Sequence, residues 1–330
     1  MGSIGIRSVP HHRFRVARLT RLRHDGLMQD LAGPLFITIF ALSQAARDVW
    51  FSDTFQAYGF FFVVANVFAL SSVLFIALAL WRVPGELRTI WRHVRLVLWM
   101  NLTTALAWSC YFFAIKTVEP AVANTIHSAL GPFTAMLVAG RLGAGGGKRI
   151  CALEKAGYAA IVVAVVALIA LTLGGGSGLG VADTGAAKGL ALLFVSGPMI
   201  TISLVLSKRL HDHGFGSISV TAVRYIALVA VAAGLTLALG QGRAVSAGDM
   251  ALLSGAGLVL VVLPTFVLQL GIARTPAVTA QVIRALGPVF VFAFEPFSAR
   301  LVWSAPVLAA IVLYSAGTLA ANLGRGWRGK

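Results

Sequence analysis

The chain has 330 residues, 58% of them hydrophobic and 12% charged, with a mean hydropathy of +0.87 and a formal net charge of +16. A soluble domain is about 45–50% apolar and about 25% charged. This composition therefore excludes a water-soluble enzyme, a secreted disulfide scaffold, a disordered tail protein and a nucleic-acid-binding module. Cys110 and Cys151 fall in an apolar run and a basic loop, and offer no disulfide or zinc framework.

Ten apolar runs follow one another along the chain, at residues 31–51, 57–80, 96–115, 118–139, 156–173, 187–207, 216–239, 250–273, 277–298 and 303–323. A bilayer crossing takes about 20 apolar residues, and in hydrocarbon each run satisfies its own backbone hydrogen bonds only as a helix. The sequence predicts an all-α polytopic membrane protein with ten transmembrane helices. Residues 1–30 read as a basic cytoplasmic tail, with Met28 as an alternative start. Residues 174–186 read as a glycine-rich linker and 324–330 as a second cytoplasmic tail.

Orientation follows from the basic residues of the loops. With the N-terminus inside, twenty of the 27 Lys and Arg fall in inside segments and four (Lys116, Lys188, Arg243, Arg300) in outside segments. The remaining three, Arg47, Arg224 and Arg284, lie within helices. This positive-inside bias puts both termini on the cytoplasmic side of a cytoplasmic (inner) membrane.

The chain also matches itself. Pro120 to Pro132 reads PAVANTIHSALGP and Pro276 to Pro288 reads PAVTAQVIRALGP, identical at seven of thirteen positions with an offset of 156 residues. The first copy covers runs three and four, the second runs eight and nine, so the chain divides into five-helix repeats at 31–173 and 187–323. Because five is odd, the second repeat enters the membrane from the opposite side. Inverted repeats of this kind characterise secondary transporters, with a substrate site near the midplane.

The residues that carry this pattern resemble the drug/metabolite transporter superfamily, in particular its EamA-type ten-helix members. The resemblance is strongest at Tyr111 to Pro132, at its partner Leu268 to Pro288, and at Glu295-Pro296 closing run nine. It departs at Gly140-Arg141-Leu142, where the family would place an acid. The resemblance implies a central cavity, both termini inside, and transport of small metabolites, commonly outward.

Charged groups in the bilayer interior cost about 2.5–3.5 kcal/mol each on insertion scales and persist where they face a cavity or a partner. Arg284 lies roughly 10 Å inside run nine and Arg224 roughly 12 Å inside run seven at the helical rise. The repeat equates Ser128 with Arg284. Asn101, Thr104, Trp108 and Tyr111 share one face of run three, and Asn124, His127, Ser128 and Gly131 one face of run four. The expected substrate-binding residues are Trp108, Tyr111, Asn124, His127, Ser128, Gln281, Arg284 and Arg224. Glu295 and Asp48 are the candidates for proton coupling, and Gly131-Pro132 with Gly287-Pro288 for hinges. Each has a structural alternative: helix-to-helix glue for the polar stripes, an ion pair or cap for the charges, a static kink for the prolines.

Two other patterns fail. Gly143 to Lys148 (GAGGGK) lacks the P-loop glycine and its Ser or Thr. His211-Asp212-His213 reads as a solvated basic loop without a third metal ligand. The sequence-level expectation is a secondary transporter, not an enzyme, with no cofactor and no metal, moving an anionic or zwitterionic metabolite by alternating access. Its partners are a small-molecule substrate and the lipid bilayer, and not nucleic acid. A cation or multidrug exporter, a facilitator or importer, and a membrane enzyme or assembly partner acting on a lipid-linked substrate stay open as alternatives.

Overall fold

The computed structural model describes residues 12–141, 151–179, 185–241, 245–275 and 277–327, so the GAGGGK stretch and the extreme ends of both tails lie outside the described residues. In chain order the elements are α1 (His12–Ala57), α2 (Phe60–Arg82), α3 (Pro84–Thr89), a 3-10 turn (Ile90–His93), α4 (Val94–Thr117), α5 (Pro120–Arg141), α6 (Ala152–Leu173) and α7 (Ala186–Asp212). They continue with α8 (Ser217–Arg224), α9 (Ile226–Ala238), α10 (Ala247–Gly257), a π turn (Leu258–Val262), α11 (Leu263–Arg274), α12 (Ala277–Ala285), α13 (Gly287–Phe294), a 3-10 turn (Glu295–Phe297) and α14 (Ala305–Trp327). No strand occurs among the described residues.

Seven helical stretches among the described residues are long and apolar enough to cross a membrane: Phe60–Arg82, Pro84–Thr117, Ala152–Leu173, Ala186–Asp212, Ser217–Ala238, Ala247–Gly271 and Ala305–Arg325. Their outward faces are apolar. Leu98, Leu102 and Leu106 recur along one side of α4, and Val162, Val163 and Val166 along α6, all exposed. Stripes this apolar are an aggregation liability in water and match the surrounding solvent in lipid. The chain is a polytopic α-helical membrane protein.

Several apolar runs differ in detail from their one-run, one-helix reading. The first helix begins at His12, well before the apolar run at 31, because Arg and Leu favour helix and no proline occurs between 12 and 33. Run seven is cut at Tyr225. There Asn101 on α4 donates to the Val223 carbonyl at 2.6 Å and accepts from the Ala227 N–H at 3.0 Å. One side-chain amide thus satisfies backbone groups on both sides of the break, which would otherwise be orphaned in an apolar setting. Run eight carries a π turn at Leu258–Val262, just before Pro264.

The two glycine-prolines at equivalent positions behave differently. Pro132 lies inside continuous α5, whereas Pro288 sits in the first turn of α13, after a break at Leu286. At that break Leu286 N–H bonds to Ile283 O at 3.1 Å, the tighter i−3 pattern. The expectation that both pairs interrupt their helices thus holds for Gly287-Pro288 and not for Gly131-Pro132. A proline bends a helix without ending it when the neighbouring turns keep their bonds.

The bundle is assembled from pairs that join early elements to late ones. α4 runs along α7, α1 along α11, α6 along α14, α2 along α8 and α9; α5 packs on α7 and α13, and α1 on α12 and α13. Small residues set these distances. A side chain on Gly189 of α7 would collide with Thr117 beside α4, and one on Gly33 of α1 would collide with Thr275 at the end of α11. These two glycines are themselves 156 residues apart. Where α6 crosses α14, a Cβ on Gly157 would fall 2.6 Å from Gly317 O, and a Cβ on Gly317 2.8 Å from Gly157 O. Helices in lipid associate through such close van der Waals approach, since lipid tails remove most of the hydrophobic drive.

Gly317→Ala is expected to lower unfolding stability by about 1–3 kcal/mol through overpacking. Gly234→Ala, whose new methyl would have nothing within 4 Å, should be neutral or stabilising by up to ~1 kcal/mol. Thermal unfolding of the two purified variants in detergent checks the contrast.

Candidate substrate site

The polar residues of the interior collect around one carboxylate. Asp48 of α1 is fully buried. Its Oδ1 accepts from Arg47 Nε at 2.8 Å and Nη2 at 2.6 Å; its Oδ2 accepts from Tyr111 OH at 2.5 Å and Asn124 Nδ2 at 3.1 Å. Four donors from α1, α4 and α5 occupy the lone pairs a carboxylate offers. Asp48 is therefore a junction of three helices. Arg47, itself 1% exposed, lays its guanidinium over the Trp108 ring at 4.7 Å and near Phe112 at 5.7 Å.

The cluster continues along α5. The His127 ring lies 4.6 Å from the Tyr111 ring, and His127 Nδ1 is 2.9 Å from Ser196 Oγ on α7. Ser196 donates its single hydroxyl hydrogen to Ala107 O at 2.8 Å. The histidine must then be the donor to Ser196, which in the neutral ring leaves Nε2 as an acceptor. Asn124 Oδ1 faces the break before α13, 3.4 Å from where a Cβ on Gly287 would stand.

Burial changes abruptly at this level. From Val118 to Ile126 every residue is buried, whereas from His127 to Met136 all but Ala129 and Thr134 are half-exposed. A side chain on Gly131 would touch only Thr201 Oγ1, at 3.4 Å. Half-exposed Arg284 and Ser128 belong to this looser half. Tyr314 of α14 is a neighbour of Ser128, and Arg284 lies near both Tyr314 and His127. Arg284 forms no hydrogen bond or ion pair with another described residue. The Gln281 side chain lies outside the described residues.

Arg224 occupies a separate corner. It is 3% exposed at the end of α8, where its Nη2 donates to Ser203 Oγ at 3.1 Å, and Ser203 Oγ is 2.5 Å from Thr104 Oγ1. An aromatic chain links this corner to the main cluster: Tyr225 packs on Phe68 and Phe68 on Trp108, at centroid distances of 5.0 and 5.5 Å.

The tightly packed end of α5 is closed by polar contacts. Glu295 Oε1 accepts from Ala121 N–H at 2.9 Å and Glu119 Oε2 from Gly178 N–H at 2.5 Å, and the two carboxyls are neighbours. Nearby, Ser298 donates to Asp53 at 2.8 Å and Arg300 to Ser52 O at 2.7 Å. Glu295 is thus a closing contact at the end of the bundle, away from the central cluster. Glu119 was missing from the sequence-level set, although Glu119-Pro120 repeats the dipeptide Glu295-Pro296. Tyr314 and Ser196 were missed too, as single polar residues in apolar runs. His211 is not a solvated loop residue: it lies in the last turn of α7, with ring nitrogens 2.8 Å from Phe215 O and 3.2 Å from Gln269 Oε1.

No family model and no curated protein sequence matches the chain. A solved chain described only as "Crystal structure of protein" is similar to it, at 19% identity and a TM-score of 0.60, over 91% of this chain and 98% of that one. This likeness supports the arrangement of the helices and says nothing of activity.

Asp48→Ala strips Arg47 of its buried counter-charge and is expected to cost about 3–5 kcal/mol. Arg47→Met combined with Asp48→Leu, which removes both charges, should recover most of that loss. Unfolding of the single, double and parent proteins tests this; an additive double variant would contradict it.

Proposed function

We propose that the protein is an alternating-access transporter of the drug/metabolite type. It moves a small anionic or zwitterionic metabolite outward across the cytoplasmic membrane, with both termini inside. The observation that carries this reading is Arg284: a part-buried guanidinium in the bundle interior, near Tyr314 and His127 but with no hydrogen bond or ion pair to another described residue. A bare guanidinium in such a place favours an acid group on the ligand. Trp108 and Tyr111 supply an apolar wall with polar tips just beyond it.

The packing supports the inverted-repeat part of the reading. α4 pairs with α7 as α1 pairs with α11, and in the approaches of Gly189 to Thr117 and Gly33 to Thr275 the glycines are 156 residues apart, as in the sequence match, and the threonines 158. If the basic loops face the cytoplasm, the end closed by Glu119 and Glu295 is the outer one. The loosely packed half around Arg284 then faces inward, as an inward-open carrier requires.

A ligand that binds only the folded protein adds about 2.7 kcal/mol at a hundredfold excess over its Kd. Acidic and zwitterionic metabolites are expected to raise the melting temperature of the parent protein. Arg284→Ala should weaken that binding by about tenfold or more, the value of a charged hydrogen bond, and Arg284→Lys by less. Stabilisation by hydrophobic cations, equal in parent and Arg284→Ala, would overturn the reading in favour of a cation exporter.

A further inference from the structure

Three arginines lie in the bundle interior, and their surroundings differ. Arg47 has Asp48 as counter-ion. Arg284 is half-exposed. Arg224 is 3% exposed and has no carboxylate within ion-pairing distance among the described residues. Its guanidinium carries five N–H donors. One bonds to Ser203 and the guanidinium lies 5.9 Å from the Tyr225 ring centroid, while Nε is buried with no hydrogen-bond partner among the described residues. Burying a charge in this state costs several kcal/mol unless a counter-charge arrives.

The groups around it point to what would supply that charge. Ser203 and Thr104 offer hydroxyls, and the pair shares one short hydrogen bond in which either is donor, so the other hydroxyl hydrogen is available. One turn along α4 from Thr104 stands Trp108, whose indole Nε1–H is also buried and unpartnered. Phe68 and Tyr225 bridge from Trp108 back to Arg224 and supply apolar walls. The unmet hydrogen-bonding capacity at Arg224 and Trp108 consists of donors; a cation or a neutral acceptor-poor molecule would leave them unmet.

We propose that Arg224, Ser203, Thr104 and the indole N–H of Trp108 form a second anion-binding site, centred on a different arginine from the Arg284 site though the Trp108 ring borders both, that takes a carboxylate or a small inorganic anion. Two sources share this chemistry. One is a free anion that neutralises Arg224 in every state. The other is a second acid group of the transported molecule, and that version rests on the transport reading above.

The test uses the purified full chain and its melting temperature in chloride, phosphate, acetate and succinate at matched ionic strength, without other ligands. At least one of these anions is expected to raise the melting temperature of the parent. Arg224→Gln should lose the effect, by about tenfold or more in apparent affinity, and Trp108→Phe, which removes only the indole N–H, should weaken it severalfold. The effect of a free anion should persist in Arg284→Ala, whether or not the transport reading survives. An effect of chloride or phosphate identifies a free anion; an effect confined to succinate and lost in both Arg224→Gln and Arg284→Ala identifies one dianionic molecule held at two points. If Arg224→Gln does not fold, Trp108→Phe and Ser203→Ala carry the comparison. Equal responses of parent, Trp108→Phe and Ser203→Ala, or no response to any of the four anions, would overturn the proposal.

Discussion

The interior of this bundle depends on the Asp48 carboxylate. A buried guanidinium is tolerable in an apolar protein only when its charge and its donors are met, and Asp48 meets Arg47 from the adjacent position on the same helix. With its other oxygen it takes Tyr111 and Asn124, which binds α4 and α5 to α1. Trp108 lies under the neutralised Arg47, His127 lies against the fixed Tyr111 ring, and Asn124 is held facing the break before α13. Remove the carboxylate and each of these placements loses its cause.

A second constraint is that early and late parts of the chain do not form separate cores. The closest helix approaches run between them, at Gly33, Gly157, Gly189 and Gly317. Glycine suits these positions because any side chain would meet a neighbour's backbone or hydroxyl. Polar contacts also cross these pairs, as where Ser196 of α7 donates to Ala107 O of α4 and Arg325 of α14 pairs with Glu154 of α6. Further hydrogen-bonded contacts gather at the Asp48 junction, at Asn101 and at the end closed by Glu119 and Glu295.

Much of this was legible in the sequence. The apolar runs marked an all-helical membrane protein, of which seven stretches among the described residues are long and apolar enough to cross a membrane, and helical spacing brought Trp108, Tyr111, Asn124 and His127 into one cluster as expected. The depth of Arg47, Arg224 and Arg284 marked them as residues needing an explanation. What escaped has physical reasons. Hydropathy cannot see the break at Tyr225, because the break is stabilised by Asn101 more than a hundred residues away. Pairing of Arg47 with Asp48 was one of the readings the sequence left open, although neighbouring positions on a helix do not face each other; it forms because the long arginine side chain reaches round the helix to the carboxylate. Gly131-Pro132 and Gly287-Pro288 look alike in sequence and differ in shape, since the surrounding turns and not the proline decide whether a helix ends. Glu119 was hidden in a loop whose role appears only when Glu295, far along the chain, is set beside it.

Glu119 and Glu295 also set a cost on closure. Two acids brought together in an apolar place repel each other when both are charged, and no lysine or arginine among the described residues is paired with either one. The backbone amides of Ala121 and Gly178 each hold one oxygen of the pair. Drawing α5 away from the end of α13 would wet both acids together and relieve that repulsion, so the position of these two helices and the charge of these two side chains are tied to each other.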